Sequence, residues 1–377
     1  MTTRGTLLVG SMPFASEADA MRRALTALGG SLLALPDGEI GEITPEFPNG
    51  KRSAWVMTAI NICAADTENW QVVKQAVNDV SGFPSDYPNV QRLKAKRSPG
   101  EMHKYLKFGY DDYFKQSYPI FKQLREEFKL PNLKFQVGVP TGLGIAFSMM
   151  SPIDALRYAD AFNKRVAHEV NEILKIASDD VVIQVEVPGE VAMSYQMPGF
   201  LVGLPVRSVL GLVRKIEPKA PFGIHLCLGD LNNLALVHAK TLDKLVHFSN
   251  SLVAAWPASH RLHYVHFPLA EAKDPPTLDN AFYQPLAQAK LPTGTHFVAG
   301  FVHEKLTAQQ HQQLLAIIEQ VRGGAVDIAC SCGMGRRPRP IAEQLIQSMR
   351  ETTGQGWGGV DSDAVSEAAA QDQAVAH

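Results

Sequence analysis

The stretch VVIQVEVPGE, at residues 181–190, decides the fold of this chain. Its first six residues are mostly apolar and β-branched, without the polar alternation of a strand that has one solvated face. That composition is typical of a parallel strand buried on both faces. Seven further runs have the same character and lie at residues 6–10, 31–35, 133–137, 222–227, 263–267, 296–301 and 326–330.

Longer segments with helical spacing separate these runs. In the clearest of them, Pro152–Ala177, apolar side chains recur every three to four residues, and Ser151 supplies an N-cap ahead of the proline. The other segments lie at 18–28, 206–216, 234–255 and 307–321. Eight strands that alternate with helices predict an α/β protein of the (β/α)8 TIM-barrel class.

The spacing of these elements also predicts the domain organisation. We expect residues 1–350 to form a single TIM-barrel catalytic domain. Residues from about 41 to 131 separate the second and third strands and are too many for one crossover, so they are expected to form a long insertion. Residues 351–377 are small and polar, and we expect them to be a disordered tail.

Composition excludes several classes of partner. The net charge is -2 and the sequence pI about 6.6, whereas nucleic acids and anionic membranes usually require a strongly basic face. No apolar run approaches the ~20 residues of a membrane span, and the first residues lack the apolar region of a signal peptide. We therefore expect a cytoplasmic protein with no nucleic-acid or membrane partner, and we leave open whether it forms a homo-oligomer.

Polar and ionisable residues gather at the ends of successive predicted strands. In a (β/α)8 barrel the active site lies at this carboxyl end, and a barrel does not need such an arrangement for stability. The clustering therefore indicates a functional site. The residues concerned are Ser11, Asp37, Glu39, Glu186, His225, Cys227, His266 and Cys332.

Three of these residues form a candidate metal site. His225 and Cys227 are two apart on one strand, so their side chains face the same way, and Cys332 follows the eighth strand. An imidazole and two thiolates suit Zn²⁺, and three protein ligands with an open position are typical of catalytic zinc. Cys330 competes with Cys332 as a ligand, but Cys330 lies deeper in an apolar strand, so we favour Cys332. Cys63 lies in an apolar helical stretch and is expected to be a core residue.

With these residues in place, the chain resembles a known family of zinc-dependent thiol alkyltransferases. The pieces that carry the resemblance are LLVGSMP (7–13), LPDGEIGE (35–42), IQVEVPGE (183–190), IHLC (224–227), VHFP (265–268) and CSCGMGRR (330–337). They are similar to the catalytic barrel of cobalamin-independent methionine synthase and to epoxyalkane:coenzyme M transferase. The resemblance runs from about residue 6 to 350, and it implies a methionine synthase/uroporphyrinogen decarboxylase-like barrel. The family's zinc motif falls on His225, Cys227 and Cys332.

Two departures from that family bear on the reaction. The long form of methionine synthase has an additional N-terminal barrel, for which this chain has no room. The family's methionine synthases also take a zinc ligand from a glutamate at the end of the sixth strand, where this chain has His266. His266 can bind zinc or contact substrate, and the change favours the alkyltransferase relatives.

The predicted reaction is activation of a small thiol, such as coenzyme M or homocysteine, as a zinc-bound thiolate that attacks an alkyl donor. A free thiol with a pKa of about 8.5 is mostly protonated at neutral pH, whereas coordination to zinc deprotonates it. The donor's leaving atom needs a proton. Candidates for this role are Asp37, Glu39, Glu186 and His266.

Arg336 and Arg337 are candidates for binding a sulfonate or carboxylate on the thiol, and Ser11 for a further substrate contact. Simpler roles stay open for several candidates. Asp37 and Glu39 could belong to a solvated turn, because Asp-Gly commonly makes turns. At least one of the two arginines could be surface charge.

Three rival functions also stay open. The first is methyl transfer from methyltetrahydrofolate to homocysteine. The second is a zinc-free decarboxylase on a related barrel, like uroporphyrinogen decarboxylase. In the third, zinc only ties the fifth and eighth strands together. The fourth zinc ligand is also open between His266, a carboxylate and water.

Overall fold

Eight parallel strands form a nearly closed barrel, which confirms the predicted fold class. The structure, a computed structural model, describes residues 4–53, 55–80 and 82–354. The strands of this part of the chain are β1 (Thr6–Leu7), β2 (Leu35–Pro36), β3 (Trp70–Lys74), β4 (Arg92–Ala95), β5 (Phe135–Pro140), β6 (Val181–Glu186), β7 (Phe222–His225), β8 (Leu262–Pro268), β9 (His296–Val302) and β10 (Asp327–Cys330).

Helices surround the barrel and connect its strands. The helices in the described residues are α1 (Glu17–Leu28), α2 (Trp55–Ala65), α3 (Pro99–Met102), α4 (Tyr110–Glu127), α5 (Gly142–Met149), α6 (Pro152–Ala177), α7 (Pro188–Gln196), α8 (Gly203–Val213), α9 (Asp243–Ala254), α10 (Asn280–Tyr283), α11 (Ala308–Arg322) and α12 (Arg339–Thr352). None of them combines the length and apolarity that a membrane span requires.

The sheet follows the order β1-β10-β9-β8-β7-β6-β5-β2, and each neighbouring pair is parallel. A parallel bridge between Thr6 and Leu32 brings the first strand next to the segment before the second. This contact completes the circle. The carboxyl ends of all eight strands therefore meet at one mouth.

Each predicted helix is present, but the one predicted at 206–216 is Gly203–Val213 in the structure, and another begins late. The segment predicted from 234 becomes helical only at Asp243. Before that point the chain folds back, and the amides of Leu236 and Val237 both donate to the carbonyl of Leu228. Asn232 and Asn233, both with positive φ, reverse the chain ahead of this contact. The apolar spacing of this loop therefore reflects packing against the end of β7, not a helix.

The segment between β2 and β5 contains α2, an antiparallel β3–β4 hairpin, α3 and α4. Helix α4 packs between α1 and α6, and the rings of Phe114 and Phe121 contact Phe135 on β5. Helix α4 therefore occupies the position of an ordinary barrel helix. Only the part of the insertion before α4 is an addition to the barrel. The last helix reaches Thr352 and so includes the first two residues of the tail predicted at 351–377, whose part from 355 onward lies outside the described residues.

A polar network fills part of the barrel interior. The hydroxyl of Tyr264 donates to the side-chain oxygen of Gln184 at 2.9 Å and also contacts that of Gln136 at 3.3 Å. The two glutamine amides in turn donate to the carbonyl of Val9. The ring of Tyr264 passes over Gly223, where an added Cβ would lie 2.0 Å from the ring. Glycine is therefore required on β7 for this packing.

Replacing Gly223 by alanine should lower stability, because the new methyl group would overlap the Tyr264 ring. Overpacking of this kind costs about 1–3 kcal/mol, measured as a shift in the urea midpoint of unfolding. Gly324→Ala is the matched control, since nothing lies within 4 Å of its added Cβ. An unchanged midpoint for Gly223→Ala would contradict the position of Tyr264.

Candidate metal centre

A row of polar residues crosses three neighbouring strands at the barrel mouth. Glu186 on β6 pairs in register with His225 on β7, which pairs with His266 on β8. All three side chains are buried, and both histidines have no exposed surface. Because paired residues of adjacent parallel strands face the same side of the sheet, the three side chains are neighbours.

His225, Cys227 and Cys332 come together as the sequence predicted. One ligand atom from each lies within 4.8 Å of the others. The two sulfurs are 3.8 Å apart, too far for a disulfide. Two thiolates on one tetrahedral zinc at ~2.3 Å each would be about 3.8 Å apart. The spacing therefore fits shared coordination of one ion.

The third donor atom also fits a metal ligand. The Nε2 atom of His225 is buried and has no hydrogen-bond partner among the residues that the structure describes. Burial, the neighbouring His266 and the Arg336 charge together hold the pKa of His225 well below its usual range. The ring is therefore neutral, which is the form that binds metals. An orphaned neutral nitrogen beside two thiols matches the donor set of a zinc site.

Cys330 lies apart from the group of candidate metal ligands. It belongs to the apolar core of the barrel, and burial raises the pKa of its thiol to about 12. The pairing of β10 with β9 shifts between Ala329 and Cys330, and the chain leaves the sheet before Cys332. The ligand group therefore contains Cys332 and not Cys330, and Cys63 is likewise buried in the core, as predicted.

The two thiols of the group differ in acidity because they share a hydrogen bond. The bond from Cys227 lowers the pKa of Cys332, and the same bond raises the pKa of Cys227 well above its usual range. The guanidinium of Arg336 lies 3.4 Å from the Cys332 sulfur and also favours its thiolate. Cys332 is therefore the first of the pair to lose its proton.

Arg336 connects the two loops that carry the thiols. Its Nη2 atom donates to Asp230 at 3.1 Å, on the loop after Cys227, as well as contacting the Cys332 sulfur. Its Nη1 atom donates to the Ser11 hydroxyl at 3.3 Å and to the Ser53 carbonyl at 3.0 Å. Of the predicted anion-binding residues, Arg336 lines the cavity with its charge already paired.

The other two predicted substrate contacts serve the loop structure. Arg337 is buried, donates to both carboxylate oxygens of Glu304 and binds the Ala272 carbonyl. The Ser11 hydroxyl accepts from the Gly335 amide at 3.3 Å, and its carbonyl accepts from Met334. These contacts anchor the loop after β10, while the buried Nη1 atom of Arg337 has no hydrogen-bond partner among the described residues.

His266 lies beside His225 and outside the ligand group. The Nδ1 atoms of the two rings are 2.6 Å apart, so one ring donates to the other. Burial lowers the pKa of His266 to about 3, so this ring is also neutral. If Nε2 of His225 binds a metal, its Nδ1 carries the proton and donates to His266. His266 then orients the ligand.

Glu39 and Glu186 form a carboxyl pair next to this row. An added Cβ on Gly138 would lie 2.9 Å from Oε1 of Glu39 and 3.3 Å from Oε1 of Glu186, so glycine makes room for both groups. Burial, and then the charge of Glu186, raise the pKa of Glu39 well above its usual range. The pair therefore holds a proton more tightly than an isolated carboxyl group does.

Asp37 holds this pair in place and does not itself face the metal group. One of its oxygens accepts from Ser117 at 2.7 Å and from Arg52 at 3.0 Å, and the other accepts from the Glu39 amide at 2.9 Å. Glu39 has a φ of 50°, an uncommon value outside glycine. The aspartate contact stabilises that backbone conformation, so the Asp-Gly turn positions Glu39.

A cavity of about 350 Å³ opens beside the thiol pair. Cys227, Cys332 and Glu186 lie on its wall, while most of the remaining lining is apolar. The insertion contributes Val56, Met57 and Val90, which face Phe147 and Met193 from the barrel helices. A concave, mostly apolar space with a few polar groups is the usual form of a small-molecule site.

Sequence reasoning missed two residues that shape this cavity. Asp230 follows Cys227 by three residues, and its position in the loop could have drawn attention to it. Tyr87 comes from the insertion, and its hydroxyl accepts from the Leu231 amide and donates to the Leu234 carbonyl, both at 3.2 Å. It holds the loop after β7, and no sequence pattern connects it to that loop.

The barrel is similar to the solved structure of a B12-independent methionine synthase from Shewanella sp. W3-18-1 in complex with selenomethionine. The TM-score is 0.57 at 12% sequence identity, over 94% of this chain and 97% of that chain. At this identity the likeness shows the fold alone. No protein-family model matches the sequence, and no curated protein matches it either.

Exchanging each cysteine of β10 and its loop for alanine tests the ligand assignment. Cys332→Ala should lower zinc affinity by more than the roughly 100-fold that loss of a ligand's hydrogen-bond partner can cost. Cys330→Ala should leave it unchanged, because that thiol packs in the core. Competition with a chromophoric chelator measures both values. Equal zinc binding by wild type and Cys332→Ala would rule out the assignment.

A pair of His266 variants separates an orienting role from direct ligation. His266→Phe removes the acceptor for His225 and should weaken zinc binding by about 10–100-fold. His266→Asn keeps an acceptor near the position of Nδ1 and should retain most of the affinity. The same chelator competition applies. Equal losses in the two variants would instead indicate that His266 binds zinc through Nε2.

Proposed function

We propose that this protein is a zinc-dependent thiol alkyltransferase that joins a small thiol to an alkyl donor. The observation that carries the proposal is the His225, Cys227 and Cys332 group, whose two cysteines line a mostly apolar cavity. A structural zinc site is usually closed by four protein ligands. In the described residues this group has three, and it borders a space large enough for a substrate.

The charges of the group favour binding of a thiol. Zinc bound there would keep a substrate thiol in its deprotonated, nucleophilic form at neutral pH. Cys227 and Cys332 supply two negative charges, which together balance a divalent cation. Asp230 pairs with Arg336 and offsets part of the positive charge that lies beside the Cys332 sulfur. The site therefore has little excess positive charge to lower the nucleophilicity of a bound substrate thiolate.

The cavity suits an apolar alkyl group. Val56, Met57, Val90 and Phe147 line it and offer apolar contacts to such a group. In the proposed reaction the substrate sulfur forms a bond to carbon, and the bond from that carbon to an epoxide oxygen breaks. The thiol proton passes to solvent, and the new alkoxide takes a proton from the protein.

The carboxyl pair is placed to give that proton. Glu186 lines the cavity, and Glu39 lies against it over Gly138. Burial and the adjacent charge keep the pKa of Glu39 well above its usual range, so the pair retains a proton to higher pH than a free carboxyl group does. Glu186 passes the proton to the leaving atom, and Glu39 restores it.

A second candidate is methyl transfer from methyltetrahydrofolate to homocysteine. It is favoured by the overall fold, because the solved neighbour is a methionine synthase bound to selenomethionine. This methyl transfer would use the same activation of the thiol and the same proton donor. Its leaving atom would be an amine nitrogen. The two candidates differ in the donor and not in the metal group.

Zinc content and thiol binding test the proposal together. Purified protein should contain one zinc per chain, and X-ray absorption at the zinc edge should show an added sulfur near ~2.3 Å when the right thiol is present. Coenzyme M, homocysteine and glutathione are the thiols to compare, each with an epoxyalkane and with methyltetrahydrofolate. A protein without zinc that does not respond to added zinc would support the decarboxylase alternative.

Glu186→Gln should lower kcat by roughly 100-fold or more, because the amide cannot donate the proton that the leaving atom needs. Zinc content should not change. In wild type, kcat should fall as the pH rises through the elevated pKa of the pair, and the variant should lose that dependence. Glu190→Gln is the control, since this buried acid binds Ser208 and lies outside the cavity lining.

A further inference from the structure

Arg92 stands in the wall of the cavity, on strand β4 of the insertion. Its Nη1 atom donates to the backbone carbonyl of Phe147 at 2.9 Å and to that of Met150 at 3.3 Å, at the carboxyl end of α5. Within residues 4–53, 55–80 and 82–354, its Nε and Nη2 atoms have no protein partner. The guanidinium thus retains unused donors at the cavity wall.

The other arginines near the mouth differ from Arg92 because each of them pairs with a carboxylate. Arg52 pairs with Asp37, Arg336 with Asp230, and Arg337 with Glu304. Arg92 pairs with no carboxylate in the described part of the chain, and burial lowers its pKa below the usual value. A half-buried cation in an apolar wall costs free energy unless an anion joins it.

Arg92 lies between two cavities and lines both of them. Together with Phe147 it lines the cavity beside the thiols and an outer groove of about 570 Å³. Lys74 and Lys94 lie on the wall of that groove with a single acid, Asp154. The outer surface is therefore net positive, which draws anionic molecules toward Arg92.

We propose that Arg92 binds an oxyanion, a carboxylate or a sulfonate, at the end of the thiol substrate opposite its sulfur. This inference rests on the proposed function, because it takes the Cys227–Cys332 end of the cavity as the place of the sulfur. The unused Nε and Nη2 donors suit a planar, two-point contact with such a group. Arg92 thereby replaces Arg336 and Arg337 as the residue that selects anionic thiols.

Binding of matched thiols to the zinc-loaded full chain tests this role. The probes are mercaptopropionate, mercaptobutyrate and mercaptohexanoate, each compared by calorimetry with the alcohol and the sulfonate of the same length. Wild type should bind one length of carboxylate or sulfonate about tenfold tighter than its alcohol, as expected for a hydrogen bond to a charged group. Whichever acid binds tighter identifies the anion.

Three variants separate recognition from a structural role. Arg92→Met should bind the acid and the alcohol with affinities within about twofold of each other, since only the acid loses a partner. Arg92→Lys should recover part of the preference, because it keeps the charge but not the two-point contact. Arg97→Met removes an exposed charge just after β4 and should keep the full preference. A structural change alone would weaken acid and alcohol equally.

The outcomes are distinguishable. If thiols bind zinc and the acid preference persists in Arg92→Met, or is absent from wild type at every length, the role of Arg92 is wrong and the proposed function stands. If no thiol of either charge binds the zinc-loaded wild type, both proposals fail.

Discussion

The candidate centre depends on the ion pair of Arg336 with Asp230. These residues lie on two different loops, after β10 and after β7, and each loop carries one of the thiols. The ion pair is largely buried, so it contributes little to the net free energy of folding. Its main effect is to fix the two loops in one arrangement. With the loops joined in this way, the sulfurs of Cys227 and Cys332 stay 3.8 Å apart in a chain that separates them by 105 residues.

The barrel supplies the rest of the geometry through register. Strands β6, β7 and β8 run parallel and pair residue by residue, so Glu186, His225 and His266 stand side by side. Below them, Tyr264 and Gln184 form hydrogen bonds in the barrel interior. The ring of Tyr264 has room there only because residue 223 is glycine. The barrel is thus rigid directly beneath the site, as precise ligand placement requires.

Burial shifts the pKa values of the neighbouring histidines and carboxyls in opposite directions, and so gives them different roles. The two histidines are neutral because the interior disfavours their charge, and this leaves nitrogen lone pairs for a metal and for each other. For the same reason, the pKa of Glu39, one of the two carboxyls over Gly138, is raised well above its usual range. The insertion then closes an apolar cavity over these groups, with Arg92 as its one cation that has no acidic partner in the described residues.

The sequence by itself determined the barrel and which residues reach its mouth, because hydrophobic periodicity is local and parallel strands must end on the same side. It also singled out His225, Cys227 and Cys332, because all three were expected where strands end, although Cys227 lies just beyond the end of β7 and not on the strand as predicted. Only the tertiary structure decided the partners of Arg336, Arg337 and Asp37, the contact between the two histidines, and the place of Arg92. Those depend on loops that carry no periodic pattern, so their contacts arise only when distant segments pack together.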